Sequence, residues 1–361
     1  MKQFILDYNE NNNTDINKYI KNLNLYIIGY ISWKFSKENK SIDREKYIDL
    51  WDKIISDNLW IEYFLKNSEN IKTNWIDFEK EILFVVSRLE QFINKPKIIE
   101  SLIFLEKINY EDSTRNLKIL LDTYKKPFGE FYETIKFDVY SFITKLEKDL
   151  EKLIFALELY ISDFVNKIKI RKYSYDISQL EFDKVLSFNY SNTYESYYDN
   201  LDSPKHAEYD YIHGKAISHI DYDENELVLG INEYLPDNEK DKNIRFIRFK
   251  KFFQRIHKNT GCHYKNWIED INRTAHYTKH YLFIFGHSLD DTDRDILREL
   301  ILNDNIITTI FYHNREAYAQ QITNLVKVIG QDELIRKTGG SKTTLFFAEQ
   351  SPMIEGTPSK K

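Results

Sequence analysis

Three segments of the sequence carry polar residues or glycine directly after a short apolar run. They are residues 185–190, 211–214 and 283–291. Each apolar run has the length of a strand, and parallel sheets bind ligands just beyond the carboxyl ends of their strands. We therefore expect the three polar ends to converge at one edge of a sheet and to form a site there.

Asn189 and His213 are the residues in these segments that we expect to act on a substrate. The amide of Asn189 can donate to and accept from a ribose hydroxyl or a water. An imidazole, with a reference pKa of about 6.5, suits a general base at His213, and Gly214 would let a ligand approach the backbone. A structural alternative stays open for each: a turn asparagine and a core histidine bonded to a carbonyl.

The third segment predicts a phosphate-binding turn followed by acids. Backbone amides of residues 286–289 at the start of a helix can hold phosphate oxygens. Asp290 or Asp291 can bind a ribose hydroxyl. We interpret Asp293 and Asp295 as capping residues, because acids favour the positive end of a helix dipole.

The same turn also nearly matches the Gly-x-Ser-x-Gly nucleophile elbow. In that alternative Ser288 is the nucleophile and His313, the histidine that follows it, is the base. Asp290 stands where the elbow has glycine, which argues against a hydrolase of this kind.

A metal site is not expected. His276 and His280 have helical spacing, but the adjacent pair Cys262 and His263 is poorly spaced to share an ion. Cys262 is the only cysteine, which excludes an intramolecular disulfide and a thiolate cluster.

Composition divides the chain into two parts. All nine histidines lie between His206 and His313, and only two of the ten glycines precede His213. Apolar residues recur at helical spacing from Asn74 to Pro96 and again over 130–171, where a helix without a break would be about 60 Å long at about 1.5 Å per residue. A bend is therefore expected there, and the first part reads as mainly helical.

After residue 175 the pattern changes to short apolar runs that alternate with helical stretches. The predicted strands are 184–188, 209–212, 227–229, 281–285 and 306–312, and the predicted helices are 192–200, 244–258, 293–303 and 316–328. Apolar strands between helices indicate a parallel sheet covered on both faces. The expected domains are a mainly helical region at 1–175, a three-layer α/β domain at 176–348 and a flexible tail at 349–361.

Charge and hydropathy limit the partners. The net charge of −6 argues against binding nucleic acid through a broad basic surface. No apolar run is long enough to span a membrane and the first residues are unlike a signal peptide, so the expected compartment is the cytoplasm. A homo-oligomer is compatible with the sequence.

Several motifs, in order along the chain, resemble those of the AbiH-type phage-defence (abortive infection) family. The residues that carry the resemblance are Asn74-Trp75-Ile76-Asp77-Phe78-Glu79, Ser187-Phe188-Asn189-Tyr190, Ile212-His213-Gly214, Leu229-Gly230 and Gly286-His287-Ser288-Leu289. The resemblance covers residues 59–330. It implies a bacterial protein that acts in antiviral defence in response to a phage-derived trigger.

The second part also resembles sirtuins and their NAD-consuming relatives in bacterial defence. That resemblance implies a sirtuin/Rossmann-like fold that binds NAD or a related nucleotide and acts as a hydrolase and toxin on its glycosidic bond. It makes Asn189 and His213 catalytic. The residues expected to bind the nucleotide are Ser187, Tyr190, Gly214, Gly286, His287, Ser288, Asp290 and Asp291.

One motif of the family has no counterpart in this sequence. AbiH-type chains open with a strand ending in Gly-Asn-Gly-Phe-Asp, the equivalent of the phosphate loop of sirtuins. Residues 26–30 carry one glycine and no Asn-Gly pair. The expectation is that the chain starts downstream of that strand or lacks it, which leaves a sensor that binds a nucleotide or a phage protein without catalysis as the alternative function.

Overall fold

The structure is a computed structural model that describes residues 54, 57–67, 78–93, 120–121, 124, 138–163, 165–199, 206–217, 225–232, 235, 238–239, 244–275 and 278–358. The chain divides into two compact units. The first comprises Met1–Tyr160, Ser218–Asn225 and Leu229–Gln254, and the second comprises Ile161–Ile217, Glu226–Val228 and Arg255–Lys361. The sequence-based limits at residues 175 and 348 stay predictions.

The described residues before residue 164 are helical, as the periodicity predicts. They include the helices α1 (Leu59–Asn67), α2 (Phe78–Ile93) and α3 (Val139–Asp163). Phe142, Leu146 and Leu150 repeat every four residues along α3 and are all buried, so one face of the helix faces the core. Asn58 begins α1, because its side-chain oxygen accepts the amide hydrogens of Trp60 and Ile61, each at 3.1 Å.

The long helical pattern over 130–171 is broken, as its length led us to expect. Within the described residues α3 ends at Asp163, and a 3₁₀ turn follows at Val165–Lys167. The cap predicted at Asn74 lies outside the described residues. No helix among those described is long and apolar enough to cross a membrane.

The rest of the chain alternates strands with helices. Its helices are α4 (Tyr175–Ser178), α5 (Thr193–Tyr197), α6 (Lys251–Lys258), α7 (Tyr264–Arg273), α8 (Arg294–Leu302), α9 (Arg315–Ile329) and α10 (Gln331–Thr338). Its strands are β1 (Lys172–Tyr173), β2 (Lys184–Ser187), β3 (Glu208–Tyr211), β4 (His280–Ile284), β5 (Ile306–Tyr312), β6 (Leu345–Glu349) and β7 (Ile354–Glu355). The protein is therefore mixed α/β.

The strands of the second unit form small sheets. β2 pairs in parallel with β3, and β4, β5 and β6 form a parallel sheet in that order. β5 lies at the centre of the three-stranded sheet, and Ile306, Thr308 and Ile310 on it are buried. β2 and β4 each have one paired neighbour among the described strands and are only partly buried, so the expectation of strands buried on both faces is wrong for them.

Two strand-level predictions differ from the structure. Residues 227–229 form no ladder, because the side-chain amide of Gln254 takes the backbone hydrogen bonds of Leu229 instead: its Oε1 accepts from the Leu229 N–H at 3.0 Å and its Nε2 donates to the carbonyl at 3.1 Å. The segment predicted as a flexible tail contains β7, which pairs antiparallel with β1. Short polar strands such as Ile354–Glu355 give no apolar run to recognise.

Candidate functional site

His213 lies two residues after the end of β3, in a turn that local hydrogen bonds hold. The Gly214 N–H donates to the Tyr211 carbonyl, and the His213 carbonyl accepts from the Val228 N–H, each at 2.9 Å. Gly214 has φ +81°, and a Cβ there would lie 2.4 Å from the backbone oxygen of Glu226. The close approach expected at Gly214 is therefore made by the chain itself, and it holds His213 at the end of the strand.

The segment after β4 forms a strained loop. Gly286 has φ +64°, and Leu289, a buried side chain, has φ +58°. The Leu289 N–H donates to Nδ1 of His287 at 2.8 Å. Two amides of α9 support the same loop, since Gln321 donates to the His287 carbonyl at 3.2 Å and Asn324 to the Ser288 carbonyl at 2.8 Å.

Asp293 brings the two histidines together. One carboxylate oxygen lies 3.3 Å from Nε2 of His213 and the other lies 3.6 Å from Nε2 of His287. Asp293 occupies the N-cap position of α8 but makes no side-chain capping hydrogen bond. Asp295 pairs with Arg255 at 2.8 Å. The interpretation of the two acids as capping residues is therefore wrong for Asp293, whose carboxylate faces imidazoles.

Aromatic side chains surround this cluster. The ring of Phe188, which follows β2, lies 4.5 Å from that of His287 and 6.0 Å from that of His213. The Tyr190 ring lies 6.1 Å from His213, and its hydroxyl donates to the Val228 carbonyl at 2.9 Å. All three strand ends thus contribute side chains to one cluster, and the aromatic rings lower the dielectric around the charged groups.

Asn189 and Ser187 have a different environment. The Ser187 hydroxyl donates to the Asn189 carbonyl at 3.0 Å and accepts from the Asn189 N–H at 3.2 Å. The hydroxyl expected to bind a ligand therefore stabilises a turn. That turn leaves the Asn189 side chain exposed, whereas His213 is only 5% exposed.

The acidic end of the loop contains a carboxylate pair. Hydrogen bonding to Asp290, together with burial, raises the pKa of the Asp291 carboxyl above its usual range. Ser288 is exposed, and among the described residues no hydrogen bond joins its hydroxyl to an imidazole. The arrangement expected of an activated serine is thus not found in this part of the chain.

Among the described residues, no three or more His, Cys, Asp or Glu side chains are grouped so that they could hold a metal ion. Nε2 of His280 shares a hydrogen bond with the hydroxyl of Thr274 at 3.2 Å. His276 lies outside the described residues. The imidazoles and the carboxylate of the cluster around Asp293 are suited to proton transfer and hydrogen bonding.

A cavity of about 540 Å³ lies elsewhere in the second unit and contains none of the predicted site residues. Its two carboxylates are already engaged: Glu208 accepts from Lys184 and Trp267, and Glu195 pairs with Lys215. The residues that line it are Glu195, His206, Ala207, Glu208, Tyr209, His263, Asn266 and Trp267. The cluster around Asp293 is the better candidate because buried groups able to exchange protons meet there.

A comparison with known families identifies the chain. The family model described as bacteriophage abortive infection AbiH matches residues 8–313. The chain belongs to the AbiH family. No curated protein and no solved structure matches it. The match confirms the family predicted from the sequence motifs, and it includes His213, His287 and Asp293.

The AbiH-family match ends before α9, which supplies the two amides that support the loop after β4. Sequence reasoning missed Asp293 together with Gln321 and Asn324. The signal that could have identified Asp293 as a site residue is its position shortly after a polar strand end. Its position before an apolar helix instead favoured the interpretation as a helix cap. No local pattern distinguishes Gln321 and Asn324 from other polar residues of a helix.

Proposed function

We propose that this AbiH-family protein is an effector of abortive infection that hydrolyses NAD or a related nucleotide at the glycosidic bond after a phage-derived trigger. The observation that carries the proposal is the contact between buried His213 and buried Asp293 beside three strand ends. A carboxylate beside an imidazole stabilises the cation formed when the imidazole takes a proton, and this arrangement is typical of general bases.

The proposed reaction needs one base. The oxygen of a water attacks C1′ of the ribose, and the bond between C1′ and the nicotinamide nitrogen breaks with its electron pair leaving on nicotinamide. His213 takes the proton that the water loses. Positive charge builds on the ribose as the bond breaks, and a carboxylate at Asp290 or Asp291 is suited to stabilise it.

The exposed residues around the loop are proposed to hold the substrate. Asn189 has an exposed amide that can position the ribose or the water. Gly286 is suited to a close ligand, because a side chain there would meet nothing within 4 Å. Ser288 is exposed next to it, and the backbone amides of residues 286–288 are the proposed phosphate ligands, because that of Leu289 already donates to His287.

The finer fold assignment and the remaining partners belong to the same proposal. We propose that residues 176–348 form a three-layer sirtuin/Rossmann-like domain, which the parallel strand pairs and intervening helices of this region support. NAD is the proposed substrate or ligand. We further propose that the protein is cytoplasmic, that it binds neither a membrane nor nucleic acid, and that it self-associates.

The test is nicotinamide release from NAD by the purified protein, with and without lysate of phage-infected cells. We expect release in the presence of lysate and its loss in His213→Ala. His257→Ala is the matched control, because His257 is an exposed histidine of α6. Release that His213→Ala does not change, or inert protein under both conditions, would contradict the proposed hydrolysis.

A second candidate function is a sensor that binds a nucleotide or a phage protein without catalysis. It is favoured by the difference in exposure, since a ligand on the surface of the loop can contact Asn189 without reaching His213. Calorimetry with ADP-ribose distinguishes the two functions. Binding that is lost in Asn189→Ala, with no nicotinamide release under any condition, supports the sensor.

A further inference from the structure

The proton positions in the cluster around Asp293 can be assigned from its hydrogen-bond donors. The Leu289 N–H donates to Nδ1 of His287 at 2.8 Å. A nitrogen that accepts a hydrogen bond carries no proton of its own, so His287 is neutral with its single proton on Nε2. The Nε2 atom lies 3.6 Å from a carboxylate oxygen of Asp293.

The same carboxylate determines which nitrogen of His213 carries a proton. Its other oxygen lies 3.3 Å from Nε2 of His213. A carboxylate oxygen is an acceptor, so a proton on Nε2 is stabilised there and a lone pair on that nitrogen is repelled. Asp293 and His213 are 7% and 5% exposed, which keeps water from screening the interaction.

We infer that His287 and Asp293 are positioning residues that hold the proton of His213 on Nε2 and leave Nδ1 as the nitrogen that can accept a proton. The chain of contacts runs from the Leu289 amide through His287 and Asp293 to His213. This inference deepens the proposed function and rests on it only for its kinetic consequence. The assignment of proton positions stands on the geometry alone.

The loop that carries this chain is fixed by the core of the unit. Leu289 adopts a left-handed conformation with φ +58°, which is unfavourable for a residue with a Cβ. Its side chain is fully buried in the cluster with Leu297, Ile310 and Leu325, which holds the amide in place against that cost. The direction of the Leu289 N–H is therefore preset by packing.

Histidine nuclear magnetic resonance tests the proton positions without any substrate. The full chain is labelled with ¹⁵N-histidine, and long-range correlation spectra are assigned with single His→Gln variants. We expect the His287 ring to show an unprotonated Nδ1 and a protonated Nε2 at neutral pH. A protonated Nδ1 on His287 would overturn the inference, whatever the activity of the protein.

Asp293→Asn tests the bridge in the same spectra. The amide of asparagine offers one acceptor and one donor, so it cannot accept from both rings. We expect the ring signals of both His213 and His287 to change in this variant. Asp295→Asn is the matched control, because it removes the same charge two residues later, and it should leave both rings unchanged. Unchanged rings in Asp293→Asn would overturn the inference.

Two substitutions of His287 separate positioning from proton transfer. Gln retains an N–H donor near the position of Nε2, whereas Leu retains only volume. We expect His287→Gln to keep nicotinamide release within about 5-fold of wild type and His287→Leu to lose about 100-fold or more, the scale of a lost acid–base contribution. An equal loss in both would show that His287 itself exchanges protons and would overturn its positioning role. If the wild-type protein releases no nicotinamide, the proposed function fails and the spectra alone decide the inference.

Discussion

Each unit of the protein contains a buried carboxylate associated with the start of a helix, and the two carboxylates have different partners. Asp149 in the first unit accepts the Leu59 N–H of α1 at 2.9 Å and pairs with Lys145 at 2.7 Å. Asp293 in the second unit occupies the N-cap position of α8 but makes no capping bond and faces two histidines. The buried carboxylate of Asp149 thus stabilises the fold, whereas that of Asp293 belongs to a group of side chains that can exchange protons.

Asp210 in the second unit extends the comparison. It is a buried residue of β3, and its carboxylate accepts the Tyr264 N–H at the start of α7 at 2.7 Å. Asp210 therefore resembles Asp149 and differs from Asp293 within the same unit. The decisive property is whether a free backbone N–H or an imidazole lies within reach of the carboxylate, which only the folded chain determines.

The largest effect is expected from Asp293→Ser, which restores the ability to cap while removing the carboxylate. Serine caps helices as well as aspartate does. If Asp293 served α8, the variant would resemble wild type. We expect nicotinamide release to fall by about 10²–10⁴-fold, the range for loss of a residue that orients a catalytic histidine. The free energy of unfolding, measured in urea, should change by no more than about 1 kcal/mol.

One outcome for Asp293→Ser would contradict the difference drawn between Asp149 and Asp293. Unchanged nicotinamide release by the serine variant would show that the two buried acids serve the same structural purpose.

The second effect concerns the glycines that flank the cluster. Gly214→Ala is expected to lower the free energy of unfolding by about 3 kcal/mol or more, because a left-handed alanine costs about 1–2 kcal/mol and a backbone clash adds to it. Gly286→Ala is the matched control with a similar φ, +64°, but no atom within 4 Å of the new Cβ. It should cost about 1 kcal/mol. Urea unfolding of both variants checks the difference, and equal costs would show that the contact with Glu226 relaxes.

The third effect should be confined to stability. Asp149→Ala leaves the Leu59 N–H without its buried acceptor, which costs about 2 kcal/mol. Lys148→Ala on the exposed face of the same helix is the control and should change the free energy of unfolding by less than about 0.5 kcal/mol. Circular dichroism during urea unfolding measures both. A loss of nicotinamide release per folded molecule in Asp149→Ala would contradict the assignment of this carboxylate to stability.

The elements of the second part were predictable where the sequence is locally decisive. The limits of β5 match the prediction because seven apolar and β-branched residues form one run between polar turns. The predicted strand ends do approach one another, since the ring of Phe188 lies near those of His213 and His287. The expected single sheet is not found among the described strands, because β2 and β3 form one sheet and β4, β5 and β6 another. α7 was not predicted, because its apolar residues are few and its start depends on the distant carboxylate of Asp210.

The roles within the site were harder to predict than its place. The sequence context of Asp293 is that of a cap, whereas in the folded chain its carboxylate contacts both rings after a loop in which Leu289 is left-handed. The hydroxyl of Ser187 was expected to bind a ligand, but the nearest polar groups are those of its own turn. Local propensity describes what a residue can do, whereas tertiary contacts select one of its options.

The smallest effect is a dependence on pH at Asp210. Burial raises the pKa of this carboxyl above its usual range, although the hydrogen bond from Tyr264 opposes the shift. The folded chain therefore binds the proton more tightly than the unfolded chain, and stability is gained as the pH falls through the raised pKa. Asparagine retains an acceptor for the Tyr264 N–H and carries no charge to desolvate.

Asp210→Asn should therefore be as stable as wild type at pH 7, or more stable by up to about 1 kcal/mol. As the pH is lowered from 7 towards 4, the free energy of unfolding of wild type should rise relative to that of the variant. Protonation of Asp210 then removes the cost of burying its charge. Urea unfolding of both proteins across this range measures the difference. If the free energy of unfolding of wild type instead falls relative to that of the variant on acidification, the ionised form of Asp210 is stabilised in the fold. The hydrogen bond from the Tyr264 N–H would then outweigh the cost of burying the charge of Asp210.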